Sequence, residues 1–168
     1  IVYTKRKLTK PKVDKMENEL ETTVTYYDNG QKKDERNFKN GKKNGLRTMW
    51  YENGQKMMER NYKDGKKNGL TTTWYENGQK SGEGNWKDGA LEGIHINWSK
   101  NGQKSWEGNY KDGLRTSWYE NGQKKSELNW TGDEQDENSL VYSTDWDEEG
   151  NITKTETYRG AHFLKDPC

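Results

Sequence analysis

The stretch Trp-Tyr-Glu-Asn-Gly-Gln-Lys at residues 74–80 decides the fold, because it recurs along most of the chain. The same seven residues stand at positions 50–56 and 118–124, and variants of the stretch begin at Tyr26 and Trp98. Recurrence of this kind is the sequence signature of a repeat architecture, in which each unit packs against its neighbours.

The turn glycines of the repeats are separated by even numbers of residues. Their spacings are 24, 24, 24, 20 and 28 residues, counted between Gly30, Gly54, Gly78, Gly102, Gly122 and Gly150. A β-strand alternates its side chains between two faces, so an odd insertion would move every later side chain to the wrong face. A helical repeat has no such requirement, and the even spacing therefore predicts strands.

Turn signals of two kinds separate the predicted strands. Asn53-Gly54 and its copies are typical of two-residue hairpin turns, and we expect a type I′ turn there, with positive φ at both residues. Asp64-Gly65 and its copies supply a second turn in each repeat. Each 24-residue unit should therefore be a β-hairpin that is joined to the next unit by another hairpin turn.

The strand before each Asn-Gly turn carries apolar or Thr side chains at alternate positions, as in Leu70, Thr72 and Trp74. These side chains should share one face of the sheet, whereas Tyr75 should point to the opposite face. We predict an all-β fold, a single elongated and twisted antiparallel meander of about six consecutive hairpins.

The composition excludes several classes of protein. The chain has 168 residues with 29 basic and 28 acidic side chains, and this balance argues against a dedicated nucleic-acid binder. No apolar run approaches the ~20 residues that a membrane-spanning helix needs. Lone Cys168 excludes an internal disulfide framework. Leu, Ile, Val and Phe together number only 19, but 8 Trp and 10 Tyr supply apolar surface of another kind.

Two motifs recur at fixed spacing in these tyrosine- or tryptophan-rich hairpins: Glu-Asn-Gly-Gln-Lys and Asn-Tyr-Lys-Asp-Gly-Lys-Lys-Asn-Gly. On these motifs the chain resembles MORN repeat proteins over roughly residues 22–160. More closely, it resembles the bacterial MORN variant that is often described as an antitoxin component of toxin–antitoxin pairs. The resemblance implies consecutive β-hairpins and a binding or scaffolding role without catalysis. It also implies an association with membrane lipids, particularly phosphoinositides, and with dimerisation, as in the wider family.

We divide the chain into three parts. Residues 22–160 form the repeat array, residues 1–21 a basic tail or cap, and residues 161–168 a C-terminal tail. The chain opens with Ile1 and not with Met, as expected of a fragment or of a chain from which a leader was removed. We favour a secreted or cell-envelope location over a cytoplasmic one.

The titratable residues predict neither catalysis nor metal binding. The two histidines, His95 and His162, lack partners with the spacing of a Ser–His–Asp or Cys–His set. Glu83 and Glu107 would suit acid–base chemistry, but the same Glu recurs in other repeats and so predicts a structural role. The acidic residues of the segment 133–137 lack the spacing of a calcium-binding loop and are expected to be solvated. We therefore expect no enzyme activity, no cofactor and no metal.

Two sets of side chains are candidates for partner binding. Lysines crowd the second turn of the early repeats, where they would suit lipid headgroups or phosphates, although lysines are also common in solvated turns. Tyrosines follow Trp in several repeats, where they form either an exposed recognition ladder or a ladder that only stabilises the sheet. The lysines are Lys42, Lys43, Lys66 and Lys67, and the tyrosines are Tyr51, Tyr75 and Tyr119.

Charge is distributed unevenly along the repeats. Residues 31–67 hold 12 basic and 5 acidic side chains, whereas residues 126–149 hold nine acidic and no basic side chains. We prefer a protein partner that contacts the aromatic face and the lysine-rich rim. Two alternatives stay open, namely an anionic lipid surface and end-to-end self-association through open sheet edges of opposite charge. We expect no nucleic-acid partner.

Overall fold

Residues 19–131 and 139–159 are described by the computed structural model of the chain. Within these two ranges the chain forms twelve strands, which pair in chain order into one antiparallel sheet. The all-β meander that the repeats predict is therefore confirmed. Three predicted features lie outside the described residues: residues 1–18 of the basic tail predicted at 1–21, the acidic segment 133–137, and the C-terminal tail with His162.

Each inner strand hydrogen-bonds to the strands directly before and after it in sequence. The strands are β1 (Leu20–Tyr26), β2 (Lys32–Lys39), β3 (Lys42–Trp50), β4 (Lys56–Lys63), β5 (Lys66–Trp74), β6 (Lys80–Lys87), β7 (Ala90–Trp98), β8 (Lys104–Asn109), β9 (Arg115–Trp118), β10 (Lys124–Thr131), β11 (Leu140–Trp146) and β12 (Ile152–Arg159). The described part of the chain contains no helix that could cross a membrane.

A single register runs through the whole sheet. One row of directly opposed residues crosses every strand, and most of its members are Glu or Thr. This Glu/Thr row consists of Val24, Glu35, Thr48, Glu59, Thr72, Glu83, Ile96, Glu107, Thr116, Glu127, Thr144 and Thr155. The row persists across the irregular spacings of 20 and 28 residues, because even spacings preserve the alternation of the strand.

The Asn-Gly turns differ from the type I′ turns predicted for them. Gly54 has a φ of 84°, but the φ of Asn53 is not positive. Gly54 N–H donates to the Tyr51 carbonyl, and Tyr51 N–H donates to the Gln55 carbonyl. This pattern is a type I turn followed by a left-handed glycine that forms a bulge. Asn53 serves the turn in another way, since its Oδ1 accepts a hydrogen bond from Gln55 N–H at 2.9 Å.

Type I′ geometry occurs instead at the second turn of the early repeats. Asp64 and Gly65 both have a positive φ, of 51° and 87°, and residues 88–89 repeat this conformation. The shorter fourth repeat has a different turn, in which Gly113 N–H donates to the Asn109 carbonyl. The two turn signals of the sequence therefore mark real turns, but the turn types are distributed differently from the prediction.

Hydrogen bonds connect each Asn-Gly turn to the next repeat. The strands end at Trp, so the following tyrosines lie in the turns, and strand alternation does not assign them to a face as predicted. Tyr51 Oη donates to the Trp74 carbonyl at 2.8 Å, and Asn53 Nδ2 donates to the Glu76 carbonyl at 3.1 Å. The equivalent tyrosine hydrogen bonds come from Tyr27, Tyr75 and Tyr119.

Ion pairs accompany the Glu residues of the Glu/Thr row. Lys56 Nζ lies 2.6 Å from Glu59 Oε1, and 5.9 Å from the ring centroid of Trp74 in the next strand. Each such exposed pair contributes only about 0–1 kcal/mol. The cation–π contact nevertheless joins one hairpin to the next, and it recurs along the sheet. The equivalent ion pairs are Lys32–Glu35, Lys80–Glu83, Lys104–Glu107 and Lys124–Glu127.

The sheet has little apolar core. Among the described residues, the buried apolar side chains are Met58 and Val141. Four aliphatic side chains of the predicted Leu-Thr-Trp face stay 39–52% exposed, namely Leu46, Leu70, Ile94 and Leu114. Stability is therefore shared between neighbouring repeats, through cross-strand pairs and turn-to-turn hydrogen bonds.

Replacing Tyr51 by Phe should destabilise the sheet without changing its register. The substitution keeps the ring and removes the hydrogen bond to the Trp74 carbonyl, so we expect the free energy of unfolding to fall by about 0.5–1.5 kcal/mol. Urea denaturation followed by Trp fluorescence would measure the change. Tyr142→Phe is the control, because Tyr142 is 45% exposed. Equal effects of the two substitutions would contradict this role of Tyr51.

Candidate binding surface

The two faces of the sheet differ in how strictly their residues repeat. On the repeating face, the Glu/Thr row is flanked by Leu and Trp at recurring positions, as in Leu46, Thr48 and Trp50. The opposite, non-repeating face carries the residues directly before and after each Glu, together with their cross-strand partners. The residues before Glu are Asp34, Met58, Gly82, Trp106 and Ser126, and those after it are Arg36, Arg60, Gly84, Gly108 and Leu128.

An ion cluster occupies the non-repeating face on β2 and β3. Asp34 Oδ2 lies 2.5 Å from Arg36 Nη2 and 2.7 Å from Arg47 Nη2. Burial alone would raise the pKa of Asp34, but hydrogen bonds from Arg47 and Arg36 outweigh it and hold the pKa below its usual value. Asp34 is only 5% exposed, so one buried carboxylate serves two guanidinium groups.

The cationic region continues onto β4. Arg60 lies directly opposite Arg47 on β3 and directly opposite Thr71 on β5. Arg60 Nε and Thr71 Oγ1 are both buried without a hydrogen-bond partner in the described part of the chain. Burial raises the pKa of Tyr62, but Arg60, Arg47 and Lys43 together outweigh it and lower the pKa. The surroundings of Arg60 therefore favour negative charge.

An aromatic pair occupies the same face on β7 and β8. The rings of His95 and Trp106 meet edge to face, with centroids 5.5 Å apart and an interplanar angle of 71°. A Cβ atom at position 108 would overlap with Trp106 Cη2, so Gly108 makes room for the indole. Burial lowers the pKa of His95, which favours the neutral imidazole. The pair offers a half-buried aromatic surface on β7 and β8.

The structure separates the two sets of residues that the sequence predicts for binding. Lys42 and Lys43 begin β3, whereas Tyr51 follows its last residue. The same arrangement places Lys66 and Lys67 at the start of β5 and Tyr75 after its end, and Tyr119 follows β9. A strand of nine residues is about 30 Å long, so the lysine rim and the tyrosine rim lie at opposite ends of the strands. Partner binding by these residues stays a prediction.

The lysine rim contains two kinds of lysine. Lys43 and Lys67 are half-buried, with Nζ 5.3 Å from the Tyr62 ring centroid and 3.7 Å from that of Trp86. Lys42 and Lys66 are exposed. A cleft of about 780 Å³ opens beside this rim, and its cationic lining residues are Lys39, Lys42 and Lys63. Ammonium groups in such a cleft could hold an anion.

The two glutamates considered for acid–base chemistry have structural partners. Glu83 and Glu107 each lie 2.5 Å from a lysine of their own strand, Lys80 and Lys104. Ile96 separates the two glutamates in the Glu/Thr row. The described residues include no group of three or more His, Cys, Asp or Glu side chains that could hold a metal ion.

The non-repeating face was not among the predicted binding surfaces, because the residues predicted for binding were those that recur from repeat to repeat. The signal was nevertheless present in the sequence. When the repeats are aligned on Glu59 and its copies, the residues on either side of Glu vary from one repeat to the next. Because successive side chains of a strand point to opposite faces, residues that vary at every second position lie on the same face.

The fold and the surface define a class, the hairpin-repeat proteins that form a single sheet. The sequence pattern of the MORN repeat variant family matches half of the chain, at residues 22–40, 43–64, 67–88 and 111–131. The chain therefore belongs to this family, whose repeats serve as binding or scaffold modules. A comparison with curated proteins gives no match. The matched segments leave out residues 89–110, which contain His95 and Trp106.

Asp34→Asn should destabilise the protein at neutral pH and remove part of its acid sensitivity. Because the folded pKa of Asp34 is lowered, its stabilising effect is present above the ordinary pKa of about 3.9 and disappears as the pH falls through the folded value. We expect a loss of about 1.5–3 kcal/mol at pH 7, and a difference from the unchanged chain that shrinks below about pH 4.

Urea denaturation across the acid pH range would measure this difference. Glu52→Gln is the control, because Glu52 is exposed in an Asn-Gly turn. A difference between Asp34→Asn and the unchanged chain that stays constant with pH would contradict the ion cluster.

Proposed function

We propose that the chain is a non-catalytic binding module that recognises a protein partner through its non-repeating face. The observation that carries the proposal is the concentration of residue variation on one face of the sheet. Residues that recur form contacts that every hairpin needs. Residues without that constraint can be specific for a partner, as in other repeat proteins with extended binding surfaces.

The side chains on this face suit a protein interface. Trp and Arg are the residue types that most often dominate binding energy at such interfaces, and both are present here. Trp106 is half-buried beside His95, and Arg60 lies towards the other end of the same face. An elongated partner segment could therefore contact both an aromatic and a cationic region.

The predicted tyrosine contacts, end-to-end self-association and the antitoxin role each relate to this proposal in a different way. Tyr51, Tyr75 and Tyr119 would extend the surface only along one rim, because their hydroxyl groups already bond to the next repeat. A second copy that binds end to end would use the open edges β1 and β12. An antitoxin role, in which the partner is a toxin protein, is one form of the proposal and rests on the family resemblance alone.

Affinity purification from the native source, followed by mass spectrometry, tests the proposal when two matched variants are included. Trp106→Ala and Ile94→Ala both truncate a large side chain, in the adjacent strands β8 and β7, but on opposite faces. We expect Trp106→Ala to lose the captured partner by at least ~10-fold, as for an interface hot spot, and Ile94→Ala to retain it. Thermal melts of both variants check that they are folded. Loss of the partner in Ile94→Ala but not in Trp106→Ala would contradict the proposal.

The cleft beside the lysine rim favours a second candidate function, binding to an anionic membrane surface. Each lysine near such a surface adds about 1 kcal/mol of attraction. The unchanged chain would then sediment with anionic but not with neutral vesicles, and more weakly at high salt. The double variant Lys42→Ala, Lys66→Ala should reduce the bound fraction, whereas Lys154→Ala in β12 should not. Equal binding to neutral vesicles, or no binding, would exclude this function.

A further inference from the structure

We propose that Arg60 and Thr71 bind a carboxylate of the partner, supplied by an acidic side chain of a protein segment that lies across β3–β5. This contact would lie on the non-repeating face, so it rests on the binding role proposed above. Its chemistry follows from a comparison between the first two repeats.

The first repeat contains a complete contact of this kind. Arg36 Nε donates to Asp34 Oδ2 at 2.8 Å, and Arg47 Nε donates to Asp34 Oδ1 at 3.0 Å. The carboxylate of Asp34 is nearly enclosed, so the non-repeating face can hold a buried acid when two donors surround it.

The second repeat retains donors but lacks the acid. The residues 24 positions after Asp34, Arg36 and Arg47 are Met58, Arg60 and Thr71. The thioether of Met58 stands where the carboxylate stands in the first repeat, and it carries no charge. Within the described part of the chain, Arg60 forms no ion pair with an acidic side chain, and its guanidinium hydrogen-bonds to the neutral Tyr62 hydroxyl instead.

Two polar atoms at this position have no partner. Arg60 Nε and Thr71 Oγ1 belong to directly opposed residues of β4 and β5, and both are buried without a hydrogen bond in the described chain. Thr71 is only 8% exposed. Buried polar atoms are nearly always paired, so two unpaired atoms on facing strands point to an acceptor supplied from outside. A carboxylate has two oxygens and can accept from a guanidinium and a hydroxyl group at once.

The surrounding charges favour an anion. Arg36, Arg47 and Arg60 are directly opposed on three successive strands, and like charges in such positions destabilise a sheet. Asp34 relieves this repulsion at the β2 end of the row only. A partner carboxylate at Arg60 would relieve it at the other end. The buried apolar Met58 beside the site fits a peptide side chain better than a hydrated phosphate.

Fluorescence anisotropy with the full chain at low salt tests the site, and the probe is a labelled peptide in which Glu alternates with Thr. We expect Arg60→Met to weaken binding by at least ~10-fold, because a hydrogen bond to a charged group is lost. Lys154→Met removes the same charge from the exposed surface of β12, away from β3–β5, and should change the affinity by less than ~2-fold. The same peptide with Gln in place of Glu should not bind.

Two results of this experiment would overturn the proposal. The first is no binding of the acidic peptide by the unchanged chain, and the second is an equal loss of affinity in Arg60→Met and Lys154→Met. We expect Arg60→Met to stay folded. Removing one of the three opposed arginines lowers their mutual repulsion, so the melting temperature should stay unchanged or rise.

A second pair of variants restores the missing acid. Met58→Asp places a carboxylate where Asp34 stands in the first repeat, so it should occupy Arg60 and weaken peptide binding as much as Arg60→Met does. Met58→Asn introduces a side chain of nearly the same shape as Asp but without its charge, so this variant should bind the peptide more tightly than Met58→Asp. Equal binding by the two variants would contradict the site.

Competition separates a carboxylate site from a phosphate site. If inorganic phosphate displaces the peptide at concentrations at which acetate and sulfate do not, the site prefers phosphate and the proposal is overturned. The proposed function can be judged independently. If a partner captured through Trp106 binds Arg60→Met as tightly as the unchanged chain, the carboxylate site fails while the role of the non-repeating face stands.

Discussion

The structure depends on one register that is kept through every turn. The Glu/Thr row runs from Val24 in β1 to Thr155 in β12 without a change of face. Because side chains alternate along a strand, a slip of one residue would exchange the two faces from that point onward. The contacts that hold the repeats together, such as the bond from Tyr51 to the Trp74 carbonyl, require the same register in successive hairpins. This need for a constant register explains why the turn glycines are separated by even numbers of residues.

A shared register also allows the two faces to have different tasks. The repeating face and the turns supply ion pairs, cation–π contacts and hydrogen bonds between neighbours, and these replace a large apolar core. Side chains on the other face are not needed in every hairpin. The residues there range from the buried Asp34 through Gly82, which has no side chain, to Trp106, and they give each part of the sheet its own chemistry. Arg60 is the clearest case, because the acid that the first repeat provides is replaced there by Met58.

The sequence predicted the strands, their order and their alternation, since these follow from the spacing of recurrent residues. It predicted a turn at Asn53-Gly54 but the wrong turn type, because a type I turn with a bulge and a type I′ turn suit the same two residues. The position of Tyr51 depended on where the strand ends, and an alternating pattern does not mark that end. The candidate site was missed for a different reason. Residues such as Arg60 and Trp106 carry no motif, and their significance appears only when the two faces are compared.

Cross-strand disulfide formation at the irregular fourth repeat tests the constant register most directly. Glu107 and Thr116 are directly opposed on β8 and β9, whereas Ser117 points to the other face. In a Cys168→Ser background, Glu107→Cys with Thr116→Cys should form a disulfide on mild oxidation, because opposed Cα atoms about 4.5–5.5 Å apart suit the bond. Glu107→Cys with Ser117→Cys should stay reduced. A disulfide in the second pair and none in the first would contradict a single register through all twelve strands.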